Sequence, residues 1–246
     1  MNIYFIAGAT GAVGSALVEQ LLLKTDAQIR LLIRAESQQH LKQRMDALWK
    51  FWDIGNGNEK LRRRVKAFAG DVVLPRFGMS LSQYDALTAE CSHIVHCAGN
   101  VRMNLPITAA RRYTVTSAEN IIDLAEAVRK NDSLKKVEFV STVGVGGKMP
   151  GALPETWITQ KRNFHNTYEQ AKSEAEELIG DRMKEGLAVT VHRPGMVVGD
   201  SKSGKIVHFQ IFYHLCEFLS GRRTLGVIPD LSGWSLDIIP VDYVAK

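Results

Sequence analysis

The chain opens on Ile3-Tyr4-Phe5-Ile6-Ala7-Gly8-Ala9-Thr10-Gly11-Ala12-Val13-Gly14. An unbroken apolar run ends in glycines, and the residues after them change to a helical period, with Val13, Leu17 and Leu21 on one stripe. A continuous apolar run suits a strand buried on both faces. Glycine supplies the φ values and clearances of a tight strand-to-helix turn. Free N–H groups at the start of the helix, aided by its dipole, are placed to meet a pyrophosphate. The spacing GxxGxxG is a variant of the GxGxxG dinucleotide fingerprint, and its position at the first strand–helix junction gives it weight. Gly8, Thr10, Gly11, Ala12, Val13 and Gly14 are therefore candidate cofactor-binding residues.

Working outward, short apolar runs alternate with helical periods. Strands are expected at 29–33, 65–69, 94–97, 137–140 and 188–192. Helices are expected at 12–24, 37–52, 116–130 and 167–183, the second with Leu41, Met45, Leu48 and Trp52 facing inward. Strands separated by helices imply right-handed βαβ units, so the expected class is α/β, a doubly wound Rossmann-type parallel sheet with helices on both faces. After Pro194 the pattern changes: 195–205 is Gly-rich and polar, 206–219 is helical, and a Gly- and Pro-containing loop ends at Ile238-Ile239-Pro240. We divide the chain into a nucleotide-binding domain over 1–193, carrying the catalytic residues, and a partial substrate lobe over 194–246. No internal repeat or low-complexity segment is present.

Composition narrows the class. With 246 residues, 45% hydrophobic and 23% charged, the chain is an ordinary globular one, which excludes a disordered chain. No stretch approaches the roughly 20 apolar residues of a transmembrane helix. The N-terminus lacks a basic n-region and a cleavage site, and it reads as a strand rather than a signal peptide. Cys91, Cys97 and Cys216 are odd in number with no CxxC pair, which fits a reduced, cytoplasmic compartment. A net charge of +5 favours anionic partners, among them nucleic acid, phosphorylated cofactors, coenzyme A and acidic carrier proteins. Arg62-Arg63-Arg64 is expected to be a solvated helix end, and the Glu-rich stretch 173–177 a solvated helix face. His208, His214 and Cys216 do not share one helical face and form no zinc pattern, so core packing is expected and no metal. Phe209, Phe212, Tyr213 and Phe218 are expected to line a core or an acyl-binding groove, not a nucleic-acid surface.

Individual positions suggest chemistry. Where an NAD site places an acid for the ribose 2′-OH, this chain has Ile33-Arg34-Ala35. Arg34 either forks around a 2′-phosphate, which favours NADP(H), or is an exposed arginine without a role. Asp71 of Gly70-Asp71-Val72 either accepts from the adenine amino group, with Val72 packed on the ring, or is a loop acid. In His96-Cys97-Ala98-Gly99-Asn100 small residues let the chain approach the cofactor, while His96 and Cys97 are expected to pack. Tyr168 and Lys172, four apart on one helix, share a face, and the ammonium is expected to lower the tyrosine pKa. Ser141-Thr142 ends the fifth strand, and strand C-termini gather at the ligand crevice of such a sheet. A hydroxyl there can hold a substrate carbonyl oxygen.

Taken in order, these residues resemble the extended short-chain dehydrogenases/reductases. The resemblance runs over essentially the whole chain, from the glycine motif through Gly70-Asp71, His96–Asn100, Ser141-Thr142 and Tyr168/Lys172 to Arg193-Pro194-Gly195. It implies Thr142, Tyr168 and Lys172 as the catalytic trio, with threonine where the family commonly has serine. It also implies cofactor contacts from Cys97, Ala98, Gly99, Pro194, Gly195, Met196 and Val197, and substrate contacts from Asn100, Ser141 and Val143. Residues 70–80, 96–101, 168–176 and 198–204 are similar to the fatty acyl-CoA reductase and thioester reductase branch, of male sterility type. That branch implies NADPH-dependent reduction of an acyl thioester, on coenzyme A or a carrier protein, to aldehyde or alcohol. Relatives continue past the segment 240–246 with further substrate-lobe elements, and family analogy allows a homodimer. Two rival readings keep the scaffold: an epimerase, dehydratase or carbonyl reductase, against whose NAD-retaining members Arg34 argues, and a non-catalytic NADP-binding module, against which the Tyr168/Lys172 pair argues.

Overall fold

A computed structural model describes residues 2–246 apart from Asn56, 222–224, Pro229, Leu231, Ser232 and Trp234. Six parallel strands form the main sheet: β1 (Ile3–Ala7), β2 (Gln28–Ile33), β3 (Val65–Ala69), β4 (His93–His96), β5 (Lys136–Val140) and β6 (Val189–His192). Their order is β3-β2-β1-β4-β5-β6. Phe5 lies opposite Ile94, and Ile94 opposite Val137, so apolar side chains form rows across the sheet. The chain steps outward from β1 in both directions, which places the topological switch between β1 and β4.

Helices cover both faces. On one, α1 (Ala12–Lys24) and α2 (Gln38–Phe51) bury Val18, Leu22, Leu41, Leu48 and Trp49 against Ile6, Ile29, Leu31 and Val95. A short α3 (Glu59–Arg62) leads into β3. On the other face, α4 (Leu81–Glu90), α6 (Ser117–Lys130) and α7 (Thr167–Lys184) bring Leu87, Ile121, Leu124 and Ile179 onto Phe5, Ile94 and Phe139. A short α5 (Ile107–Arg111) runs into α6 through a π-helical turn at Arg112–Thr116, so the helix expected from 116 begins earlier. Most expected bounds shift by only one or two residues, but α4 was not expected at all. Its signal is a capping box: Ser80 accepts from the Gln83 N–H and the Gln83 side chain returns to the Ser80 N–H.

Arg64 corrects the reading of the arginine run. It is buried, and its guanidinium donates to the carbonyls of Leu21, Leu22 and Ala27 at 2.9–3.0 Å. The last carbonyls of a helix need such donors. Only Arg63 behaves as a solvated end, paired with Glu59.

Past Pro194 a two-stranded parallel sheet joins β7 (Met196–Val198) to β8 (Ile238–Pro240), followed by α9 (Val241–Val244). Val197 and Val241 pack on Ala12, Gln20 donates to the Asp242 carbonyl and Lys205 pairs with Glu19, so this segment docks along α1. The helix expected over 206–219 is the shorter α8 (Ile211–Leu219). None of its residues is buried: Phe209, which precedes it, is 70% exposed, and Phe218, His214 and Cys216 also face outward. Core packing is therefore wrong for these side chains, because α8 is not packed into either cluster under the main sheet. The Gly- and Pro-containing loop that follows lies partly outside the described residues.

Candidate active site

The glycine turn is built as its spacing demands. Gly8 adopts φ +105°, and a Cβ there would sit 2.5 Å from the backbone of Cys97 and Ala98. A Cβ on Gly14 would lie 2.3 Å from the Gly8 carbonyl oxygen. These two glycines let β1, α1 and the end of β4 close on one another. Gly11 differs: a Cβ there would meet only the Gly8 carbonyl oxygen, at 3.3 Å, so the turn is open on that side. Gly11 is also the N-cap of α1, and no side chain caps the helix. An open, uncapped helix N-terminus behind a glycine turn fits a pyrophosphate.

Two arginines stand where β2 ends. Arg34 is exposed, and Arg44 of α2 reaches back to donate to the Arg34 carbonyl at 2.6 Å. Burial and then the charge of Arg34 lower the pKa of Arg44. Among the described residues neither guanidinium pairs with a carboxylate, which leaves both for an anion. Asp71 accepts from the Val73 N–H at 3.2 Å, and Asn120 donates to the Val72 carbonyl at 2.9 Å, so the loop after β3 is held rigidly.

The three residues expected to be catalytic converge at the end of β5. Thr142 caps a one-turn helix at Val143–Gly146, its Oγ1 accepting from the Gly144 N–H at 3.2 Å. Tyr168 sits in the first turn of α7, whose start is fixed by Asn166 accepting from Glu169 and by Thr167 donating to the Leu105 carbonyl at 2.7 Å. One turn on, Lys172 is 5% exposed and its Nζ donates to the Val140 carbonyl at 2.9 Å. Burial pulls its pKa down to about 8, against the opposing pull of Cys97 and Glu176. A Cβ on Gly99 would meet only that Nζ, at 3.8 Å, so open space adjoins the ammonium.

The Tyr168 expectation needs correction. Burial pushes the phenol up to about 12, a hydrogen bond with Thr142 pulls the other way, and the charge of Glu169 raises it further. Lys172 donates its hydrogen bond to the Val140 carbonyl, and burial dominates the Tyr168 phenol. His96 and Cys97 pack, as expected: His96 meets Ser117 Oγ at 3.2 Å, and the Cys97 thiol donates to the Ala7 carbonyl at 3.2 Å. Burial holds His96 down at about 3 and pushes Cys97 up to about 12, which leaves neither as base or nucleophile. Ser141 Oγ is buried and has no hydrogen-bond partner among the described residues.

Residues 6–246 match the family model described as male sterility protein. The chain belongs to this family. It is a nicotinamide-dinucleotide-binding branch of the extended short-chain dehydrogenases/reductases, and its relatives include reductase domains of peptide and polyketide synthetases. The chain is 31% identical over 249 residues to a linear gramicidin synthase polypeptide of Brevibacillus parabrevis, covering 98% of itself and 5% of that protein. It superposes on the terminal R domain from the myxalamid PKS-NRPS biosynthetic pathway with a TM-score of 0.83 and 29% identity, over 100% of this chain and 61% of that one. A thiolation-reductase di-domain from an archaeal non-ribosomal peptide synthetase shares the fold, at TM-score 0.77 and 19% identity, over 99% of this chain and 52% of that one. The chain thus spans a small part of the curated relative and under two thirds of these solved domains.

Within this male sterility-type domain the structure gathers the glycine turn, Gly99, Thr142, Tyr168 and Lys172 at the C-terminal ends of β1, β4 and β5. Val197 instead packs with Ala12 and Val241, and Asn100 accepts from the Arg102 N–H at 3.1 Å. Two residues escaped the sequence reading. Arg44 carries no local signal except its place one and a half turns into the helix after Arg34. Glu176 contradicts the solvated-face reading: it is 4% exposed and paired with Arg193 at 2.6 Å. No helix among the described residues is long and apolar enough to cross a membrane.

Proposed function

We infer that this domain reduces an acyl thioester, presented on coenzyme A or on a carrier protein's pantetheine arm, with NADPH as the reductant. The observation that carries the reading is the convergence of Thr142, Tyr168 and a buried Lys172 beside the open, uncapped start of α1. Gly8 to Gly14 would hold the pyrophosphate and Arg34 with Arg44 the 2′-phosphate. Asp71 and Val72 would take the adenine, Lys172 the nicotinamide ribose, and residues 194–196 would close over the nicotinamide. The bound cofactor supplies a hydride to the thioester carbonyl carbon.

The chain's own groups handle the oxygen and the proton. Thr142 Oγ1 holds the carbonyl oxygen as negative charge develops there. Tyr168, protonated at any working pH because burial raises it, donates its proton to that oxygen. Collapse of the resulting hemithioacetal releases the thiol and leaves the aldehyde. Ser141 and Val143 would border the carbonyl, and the described residues that follow Pro194 would contribute one wall for the acyl chain. The synthetase relatives favour a carrier-bound substrate, and the basic charge suits an acidic carrier protein.

The test is product identity. Purified protein is given NADPH with a long-chain acyl-CoA, and separately with an acylated carrier protein, while a hydrazine traps any aldehyde. The hydrazone forms with the intact protein and falls by about a hundredfold or more in Tyr168→Phe, as loss of a general acid demands. Hydrazone formation that Tyr168→Phe leaves unchanged contradicts the assignment. If only a free aldehyde is consumed, the domain is a carbonyl reductase.

A further inference from the structure

The site depends on where α7 lies, and the chain fastens that helix from outside. Residues 147–166 form a strap with no helix or strand between the turn at 143–146 and α7. Two guanidinium groups bind strap and helix together. Arg193, just past β6, donates from Nη2 to Glu176 Oε2 at 2.6 Å and from Nε to Oε1 at 3.0 Å. Its Nη1 donates to the carbonyls of Pro154 and Thr156 at 3.1 and 3.0 Å. Arg162, in the strap, donates to the Val145 carbonyl and to Ser173 Oγ, each at 2.6 Å. Ser173 and Glu176 are both buried.

Glu176 lies one turn past Lys172, which lies one turn past Tyr168, so all three share one stripe of α7. Several groups surround the Lys172 ammonium. The Val140 carbonyl comes from β5, His96 and Cys97 come from the end of β4, and Glu176 lies on α7 itself. Glu176 is the carboxylate of this set, and Arg193 neutralises it. A buried ion pair is costly to desolvate, and apolar residues of similar volume commonly hold a fold as well. The pair is therefore more than the fold needs.

We propose that Arg193 and Glu176 are positioning residues for the reaction, fixing α7 against β6 and the strap so that Tyr168 and Lys172 face Thr142, with a neutralised carboxylate behind Lys172. The proposal rests on the reading of Tyr168 and Lys172 as the reacting pair. Three variants test it: Glu176→Gln, Arg193→Met, and the double variant Glu176→Met with Arg193→Met.

In Glu176→Gln the unpaired guanidinium disfavours the ammonium, so the basic limb of the kcat/KM profile moves to lower pH. In Arg193→Met the unpaired carboxylate favours it, and the limb moves to higher pH. The double variant melts close to the unsubstituted protein but loses about tenfold or more in kcat, because misplaced reacting groups are costly. Limbs moving in the same direction, or a folded double variant with unchanged kcat and pH profile, overturn the proposal, and the double variant decides if the single ones do not fold. Should no thioester be turned over, the pH dependence of NADPH binding, followed by its fluorescence, gives a separate readout. Opposite shifts there in the two single variants support the positioning role, and identical binding profiles in all variants overturn it.

Discussion

At the residue scale the site is governed by burial more than by neighbouring charge. Lys172 is the clearest case: desolvation brings its pKa to about 8 from an ordinary 10.5. Tyr168 stays protonated far above that, so the free protein should lose kcat/KM through a basic limb near pH 8 that belongs to Lys172. A profile flat to beyond pH 10 would show that the ammonium is not required. Arg34 and Arg44 carry a second prediction. Replacing both with alanine removes the charge-assisted contacts to a 2′-phosphate, and the KM for NADPH should rise by about ten- to a hundredfold while that for NADH barely moves. Equal rises for both cofactors would remove the 2′-phosphate reading. Of these residues the sequence displayed Arg34 through its place after β2, whereas Arg44 reaches the site only because α2 folds back over that strand's end.

At the scale of the element, what the chain betrays depends on how an element is buried. The central strand is covered on both faces, so β1 is a continuous apolar run and stands out, whereas Arg30, Lys66 and Glu138 interrupt β2, β3 and β5. α4 hides because Leu81-Ser82-Gln83-Tyr84-Asp85-Ala86-Leu87 buries little beyond Tyr84 and Leu87, leaving its capping box as the better sign. α7 misleads in the opposite sense, since its Glu-rich stretch looks solvated while Glu176 is sealed under Arg193. Arg64 shows the same blindness at the end of α1, where a charged side chain completes the helix by donating to carbonyls. Arg64→Ala should cost about 3 kcal/mol, since the Leu22 and Ala27 carbonyls lose a charged donor, while that of Leu21 keeps Thr25. Urea unfolding measures it as a lower midpoint with little change in slope; a midpoint within error of the original would mean water replaces the guanidinium.

For the molecule as a whole, stability should carry the signature of a buried imidazole. His96 is neutral in the folded chain, its pKa held down at about 3 by burial first and Lys172 second, against 6.5 when unfolded. Between those values the unfolded chain binds the extra proton, so the His96 contribution to stability is complete above about pH 6.5 and declines as pH falls toward 3. Lys172 acts in the alkaline range: the unfolded chain keeps its proton up to 10.5, so stability rises with pH between about 8 and 10.5. His96→Asn should flatten the acid slope in urea unfolding series, and an unchanged slope would assign it to the carboxylates instead. The same global view explains the reading of 194–246. Its strand pair and α9 dock on α1, but no residue of α8 is buried and Phe218 faces outward, with Phe212 and Tyr213 half-buried, which no local periodicity reveals because an amphipathic helix advertises a partner without naming it.

In the proposed reaction a nicotinamide site and the trio of Thr142, Tyr168 and Lys172 act together on a thioester. The most direct measurement is the rate of NADPH oxidation, followed by its near-ultraviolet absorbance, when an acyl-CoA is added to the protein and to its Tyr168→Phe variant. Oxidation that depends on the thioester and is lost in the variant is the predicted result. NADPH that binds but is oxidised at the same rate with and without thioester, or equally by both proteins, would contradict it.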